Sequence, residues 1–106
     1  MDEKKLLNDK ELDKVAGGNA DNRTILQKLA SYSCSLNAAG NLTHNHWLTD
    51  AAENVDNAIR RLKDNDRLGA SCAIEIAMNL IDQTSGYSDI YYKLYDVNRE
   101  ITRSLC

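Results

Sequence analysis

The chain has 106 residues, a net charge of −3 and three cysteines, and it contains neither proline nor phenylalanine. This length supports one small domain, and an apolar content of 42% with five glycines indicates a compact helical protein rather than a disordered one. The sequence lacks the clustered Lys and Arg of a nucleic-acid-binding protein, the apolar run of about 18 residues that spans a membrane, and the apolar core of a secretory signal peptide.

The first 18 residues form a short amphipathic segment. Leu7, Leu12 and Val15 are apolar in a stretch that is otherwise mostly charged or polar, and on a helix they fall within an arc of roughly 140°. Isolated helices of this length are marginal in water, so we expect the segment to fold when a groove of a partner receives its apolar side. Gly17 and Gly18 then end the helix and leave the backbone uncovered by side chains.

This order of residues resembles the double-glycine leader of bacteriocin precursors and other small substrates of peptidase-containing ABC transporters. In that family an apolar residue, a Glu-Leu pair, a Val or Ile and a terminal Gly-Gly recur at fixed offsets. Those positions are occupied here by Leu7, Glu11, Leu12, Val15, Gly17 and Gly18, and Asn8 stands where Ser is commoner.

The resemblance implies that residues 1–18 are a leader peptide and residues 19–106 a helical cargo domain. The leader would bind the papain-like cysteine peptidase domain of a transporter, with Glu11 making a polar contact, and the peptidase would cut between Gly18 and Asn19. The protein would then be a secreted bacterial precursor, made in the cytoplasm, whose bacteriocin-like or signalling cargo acts on an unknown extracellular target. Alternatively, Gly17 and Gly18 are an ordinary helix C-cap and linker in an intracellular adaptor or immunity-type protein that is never cut.

Two amphipathic helices are predicted after the double glycine. The first covers residues 21–39 and ends with Gly40 at the C′ position. The second runs from about residue 45 or 49 to Asp64, since Asp50 and Glu53 have the spacing of a capping box that would start it near residue 51. Their apolar stripes comprise Ile25, Leu29, Tyr32 and Leu36, with Leu26 at the edge, and then Leu48, Ala52, Val55, Ile59 and Leu62.

Two further helices are predicted in the second half. The third covers about residues 70–84 and is followed by Gly86, and the fourth begins with Ser88 as its N-cap. The third has a wide face of Cys72, Ala73, Ile76, Ala77, Leu80 and Ile81, and the fourth a stripe of Ile90, Leu94, Val97, Ile101 and Leu105. Four amphipathic helices with short links predict an all-α fold, an antiparallel up-down-up-down four-helix bundle preceded by the leader segment.

The three cysteines lie at different heights in such a bundle. Cys34 is about 20 Å along the first helix, whereas Cys72 near the start of the third helix and Cys106 after the fourth share the opposite end. Because a disulfide needs Cα atoms within roughly 7 Å, Cys72 and Cys106 are the predicted pair if the exported protein is oxidised. Three free thiols, with Cys72 in the core, are the equal alternative.

Few residues are candidates for catalysis or for binding a metal or cofactor. His44 and His46 belong to a predicted surface loop, with Trp47 folded over the bundle end; no metal or cofactor site is predicted. An enzyme is not expected, because no nucleophile is accompanied by a local base motif. Four tyrosines lie on or beside the fourth helix, and Tyr91, Tyr92 and Tyr95 are the candidate partner surface, since exposed Tyr is favoured at interfaces.

Overall fold

The computed structural model describes residues 21–103, and over that range the chain forms four α-helices. They are α1 (Asp21–Thr43), α2 (His46–Lys63), α3 (Arg67–Asp82) and α4 (Ser88–Arg103). The predicted all-α class is therefore confirmed. The leader segment, the cleavage site between Gly18 and Asn19, and Leu105 and Cys106 lie outside the described residues.

Contacts between the helices fix their directions. Lys28 near the start of α1 is 3.2 Å from Glu100 near the end of α4, and α1 packs against both α2 and α4. We call the end of the bundle where α1 begins the lower end. At the upper end, the Asn45 side-chain amide donates to the Thr84 hydroxyl at 3.0 Å, which joins the α1–α2 turn to the α3–α4 turn. The helices thus alternate in direction around the bundle, and the predicted antiparallel topology is confirmed.

All four helices contribute to one core. Its large side chains are almost completely buried, and burying each contributes about 1.5–3 kcal/mol of hydrophobic free energy relative to exposure. The largest of them are Ile25, Leu29, Leu36, Leu48, Val55, Ile74, Ile81, Leu94, Val97 and Ile101. The core also contains small residues, namely Ala51, Ala52, Ala58, Ala70, Ala73 and Ala77.

The end of α1 differs from the prediction. The helix runs through Gly40 to Thr43, and the residue with left-handed backbone is His44, at φ 55°. Gly40 is buried in the helix because α2 begins directly beside it: a Cβ at Gly40 would lie 2.5 Å from Thr49 Cγ2 and 2.9 Å from Thr49 N. The glycine therefore permits a close approach of the two helices and does not end α1.

The start of α2 agrees with the earlier of the two predicted starts, near residue 45, and not with the later one. Asn45 is the N-cap, and its side-chain oxygen accepts a hydrogen bond from the backbone N–H of Trp47. Asp50 and Glu53 have capping-box spacing but lie inside the helix, so the prediction of a start near residue 51 is wrong. An Asn at this position satisfies a free N–H of the first turn as well as an Asp does.

The third and fourth helices depart from their predictions in smaller ways. Asp66 caps α3, accepting from the backbone N–H of Gly69 at 2.9 Å, so α3 starts three residues earlier than predicted and ends at Asp82. Its buried face is rotated: Cys72 and Ile76 are exposed, whereas Ile74 and Met78 are buried. Ser88 is the first residue of α4, and the preceding Tyr87 carbonyl accepts from the Tyr91 N–H.

Candidate functional site

A concave site lies at the upper end, in the angle between the end of α3 and the start of α4. It is a pocket of about 430 Å³, within the size range of small-molecule sites in proteins. Its walls include Ile81 and Asp82 from α3, Gly86 and Tyr87 from the turn, and Tyr91 and Tyr92 from the start of α4.

The local sequence explains why the tyrosines converge there. Gly86 has a backbone φ of 93°, a conformation that costs a glycine little, and it lets the chain reverse within five residues between α3 and α4. Tyr87 directly precedes α4, and its carbonyl accepts from the Tyr91 N–H, so the two tyrosines, four residues apart, lie on the same side of the helix start. Both are half-buried and pack against the core, so their positions are fixed by the fold.

The rings of Tyr91 and Tyr92 form the corner of this pocket. Their centroids are 5.4 Å apart, and the ring planes are 84° from each other, an edge-to-face pair. Such pairs contribute about 0.5–1.5 kcal/mol beyond the area they bury. Tyr92 remains 62% exposed, so much of this aromatic surface faces solvent.

The structure divides the predicted tyrosine surface into two parts. Tyr91 and Tyr92 line the pocket, whereas Tyr95 is 47% exposed one turn further along α4 and does not line it. Sequence reasoning missed Asp82 and placed Tyr87 outside the candidate surface. The signal that indicates Tyr87 is its spacing of four residues from Tyr91, directly after a glycine turn.

Charge is distributed unevenly along the bundle. In residues 21–103 every Lys and Arg except Lys93 lies in the lower half, including Arg60, Arg61, Lys63 and Arg67. The described lining of the pocket contains no basic side chain and includes Asp82. This uneven charge distribution is not evident from the sequence, because the alternating helix directions bring together bases that are distant along the chain.

The predicted loop around His44 and His46 is confined to two residues, 44 and 45. The rings of His46 and Trp47 lie 4.4 Å apart, and Trp47 is 36% exposed. In the described chain no group of three or more His, Cys, Asp or Glu side chains could hold a metal ion.

A second polar feature lies between α1 and α2. The buried Ser33 hydroxyl donates to Asp56 Oδ1 at 2.6 Å, with the Ala52 carbonyl 3.4 Å away. Cys34 lies beside it in a shallow groove and is exposed, as is Cys72 on α3. Cys34 and Cys72 are not bonded to each other, and because Cys72 is exposed it is not the core residue of the free-thiol alternative. The predicted Cys72–Cys106 disulfide stays a prediction, because Cys106 lies outside the described residues.

The carboxylate of Asp66, which caps α3, has a displaced pKa. The hydrogen bond from the Gly69 N–H, together with the Arg61 guanidinium 3.1 Å away, lowers the pKa of Asp66. This stabilises the charged form of the cap and belongs to the α2–α3 turn at the lower end, away from the pocket.

Leu7, Glu11, Leu12, Val15, Gly17, Gly18 and Asn19 lie outside the described residues, so their predicted roles stay predictions. Within residues 21–103 none of the helices is long and apolar enough to cross a membrane. Comparison with protein-family models, curated proteins and solved structures finds no match for this chain.

Proposed function

We propose that this protein is the precursor of a small secreted bacterial protein, cut after Gly18 by the peptidase domain of a peptidase-containing ABC transporter. The observation that carries the proposal is the set of residues at Leu7, Glu11-Leu12, Val15 and Gly17-Gly18, which fills every position of the double-glycine leader pattern. Residues 19–106 are then the cargo, bacteriocin-like or signalling, which acts outside the cell.

The position of the first helix supports this proposal. The helix α1 begins at Asp21, three residues after Gly18. A cut between Gly18 and Asn19 therefore leaves all four helices of the bundle intact. A glycine pair also suits a narrow cleft beside a catalytic thiolate, because neither residue has a Cβ to collide with its walls.

The proposal is tested by incubating the full chain with the purified peptidase domain of its cognate transporter. Intact mass spectrometry is expected to show loss of residues 1–18 and a product that begins at Asn19. N-terminal sequencing of the protein from culture medium is expected to give the same residue. Extracellular protein that still begins at Met1 would contradict the proposal.

Two variants separate recognition from cutting. Leu12→Asp places a charge in the apolar stripe and is expected to abolish processing, and Gly18→Val is expected to do the same by blocking the cleft. The matched control is Leu42→Asp, because Leu42 is 82% exposed on α1 and its replacement leaves the leader unchanged. Circular dichroism of all three variants is expected to show the helical content of the unmodified protein.

The alternative is an intracellular adaptor or immunity-type protein that is never processed. The observation that favours it is the buried four-helix core, since a bundle that folds before export must be unfolded again to pass a transporter pore. Under this alternative no protein is recovered from the culture medium, and the peptidase does not remove residues 1–18.

A further inference from the structure

We propose that the pocket between α3 and α4 binds an organic cation of the quaternary ammonium type. The ligand would lie in the corner formed by Tyr91 and Tyr92, with Tyr87 as a further aromatic wall and Asp82 as the countercharge. This site belongs to the bundle and is independent of the leader, so it goes beyond the function proposed above.

The ring geometry fits one cation in contact with two aromatic faces. A cation is attracted to an aromatic face when it lies within about 6 Å of the ring centroid. Because the Tyr91 and Tyr92 centroids are only 5.4 Å apart and the ring planes are 84° from each other, a single positive group in the corner can lie within that distance of both centroids. Two perpendicular aromatic walls are an arrangement that recognises methylated ammonium groups.

The charge around the pocket favours a positive ligand. Asp82 belongs to the lining, and no Lys or Arg does among the described residues. Asp89, in the first turn of α4, offsets the positive end of that helix dipole, which would otherwise repel a cation. In residues 21–103 the bases other than Lys93 lie in the lower half, and charges there are screened over about 8–10 Å at physiological salt. Lys93 follows Tyr92 on α4 but does not line the pocket.

The tyrosine rings of the pocket suit a quaternary ammonium. It has no hydrogen-bond donor and an apolar surface of methyl groups, so the rings can cover it with little loss of hydration. A lysine-type ammonium is compact, strongly hydrated and carries three donors, and in this pocket its acceptors would be the Asp82 carboxylate and the hydroxyls of Thr84, Ser85 and Ser88. The pocket volume of about 430 Å³ accommodates a quaternary ammonium group.

The test is an NMR titration of the full chain with choline chloride. Amide signals of residues 81–92 are expected to shift together, with a dissociation constant on the order of 1–10 mM, as fits a ligand of so few atoms. The neutral isostere 3,3-dimethyl-1-butanol has the same shape without the charge and is expected to bind about tenfold more weakly. Equal binding of the two compounds, or no saturable shift with choline, would overturn the proposal.

Variants locate the site. Tyr92→Leu keeps an apolar side chain but removes one ring, and it is expected to weaken choline binding about two- to fivefold. Asp82→Asn is expected to weaken choline binding and leave binding of the neutral isostere unchanged. The matched control is Tyr95→Leu, an exposed tyrosine of the same helix outside the pocket. An effect of Tyr95→Leu as large as that of Tyr92→Leu would refute the assignment.

The same chemical group occurs free in solution and in the headgroup of phosphatidylcholine. Flotation with phosphatidylcholine vesicles, compared with phosphatidylglycerol vesicles, distinguishes the two sources. Recovery with phosphatidylcholine alone, suppressed by free choline, assigns the lipid headgroup as the source. Binding of free choline without recovery on either vesicle assigns a soluble quaternary ammonium compound.

Discussion

The contact between Gly40 and the start of α2 makes a quantitative prediction for Gly40→Ala. A Cβ at this position would lie 2.5 Å from Thr49 Cγ2, 2.9 Å from Thr49 N and 3.1 Å from Asn45 O. Two of these three atoms belong to the backbone and cannot rotate away. The added methyl group must therefore push the start of α2 away from α1.

Two opposing free-energy terms determine the size of the effect. Alanine is favoured over glycine by about 1 kcal/mol in a helix interior, which stabilises the variant. Overpacking costs about 1–3 kcal/mol, and backbone contacts place this site at the upper end of that range. We expect a net loss of about 2 kcal/mol in the free energy of unfolding, which corresponds to a fall in Tm of about 8–16 °C for a domain of this size.

Urea unfolding followed by far-UV circular dichroism measures this loss, and Thr49→Ser isolates its cause. Serine lacks Cγ2 but keeps the hydroxyl that donates to the His46 carbonyl at 3.1 Å. In the Thr49→Ser background we expect Gly40→Ala to cost about 1 kcal/mol, because the closest of the contacts has been removed. Asn41→Ala, at an exposed neighbouring position, is the control. If Gly40→Ala raises stability by the 1 kcal/mol of helix propensity, the reasoning is refuted.

Two further substitutions test polar contacts of the bundle. Ser33→Ala removes the buried hydroxyl that donates to Asp56 and is expected to lower the free energy of unfolding by about 1–2 kcal/mol; a smaller loss is expected for Asp56→Asn, which keeps an acceptor, and urea titrations rank the two. The effect of Asp66→Asn on stability is expected to depend on pH. The pKa of Asp66 is lowered in the folded protein. The carboxylate therefore stabilises the fold above its unfolded pKa of about 3.9. The stability difference between the two proteins should be full at neutral pH and disappear as the pH falls through the lowered pKa; a difference independent of pH would contradict this account.

The fold was predictable because the helical spacing of apolar residues identifies each helix even where its first and last residues are uncertain. Stripes such as Ile25, Leu29 and Leu36 are buried as predicted. The errors come from residues that serve more than one purpose: Gly40 permits a close helix contact, and Asp50 and Glu53 have capping spacing inside a helix. In α3, a run of mixed apolar residues leaves the helix face ambiguous, and packing against both α2 and α4 buries Ile74 and Met78 and leaves Ile76 exposed.

The candidate site was predictable only in part. The tyrosine content of α4 indicates an aromatic surface, but the sequence contains no direct sign that Asp82 lines the same pocket. The pocket depends on where α3 ends and on the left-handed backbone of Gly86, and helix ends are the least certain part of any sequence interpretation. The leader differs from the pocket, because its motif is a run of consecutive residues that can be identified in the sequence without knowledge of the helix packing.

The start of α1 and the end of α4 meet at the lower end, where the side chains of Lys28 and Glu100 join them. A short linker from residue 103 back to residue 21 can therefore close the described chain without crossing the bundle. The four helices can therefore be connected in a different order along the chain, and the bundle is suited to circular permutation. New ends placed near Asn65, in the α2–α3 turn, would leave the upper half and its tyrosines untouched.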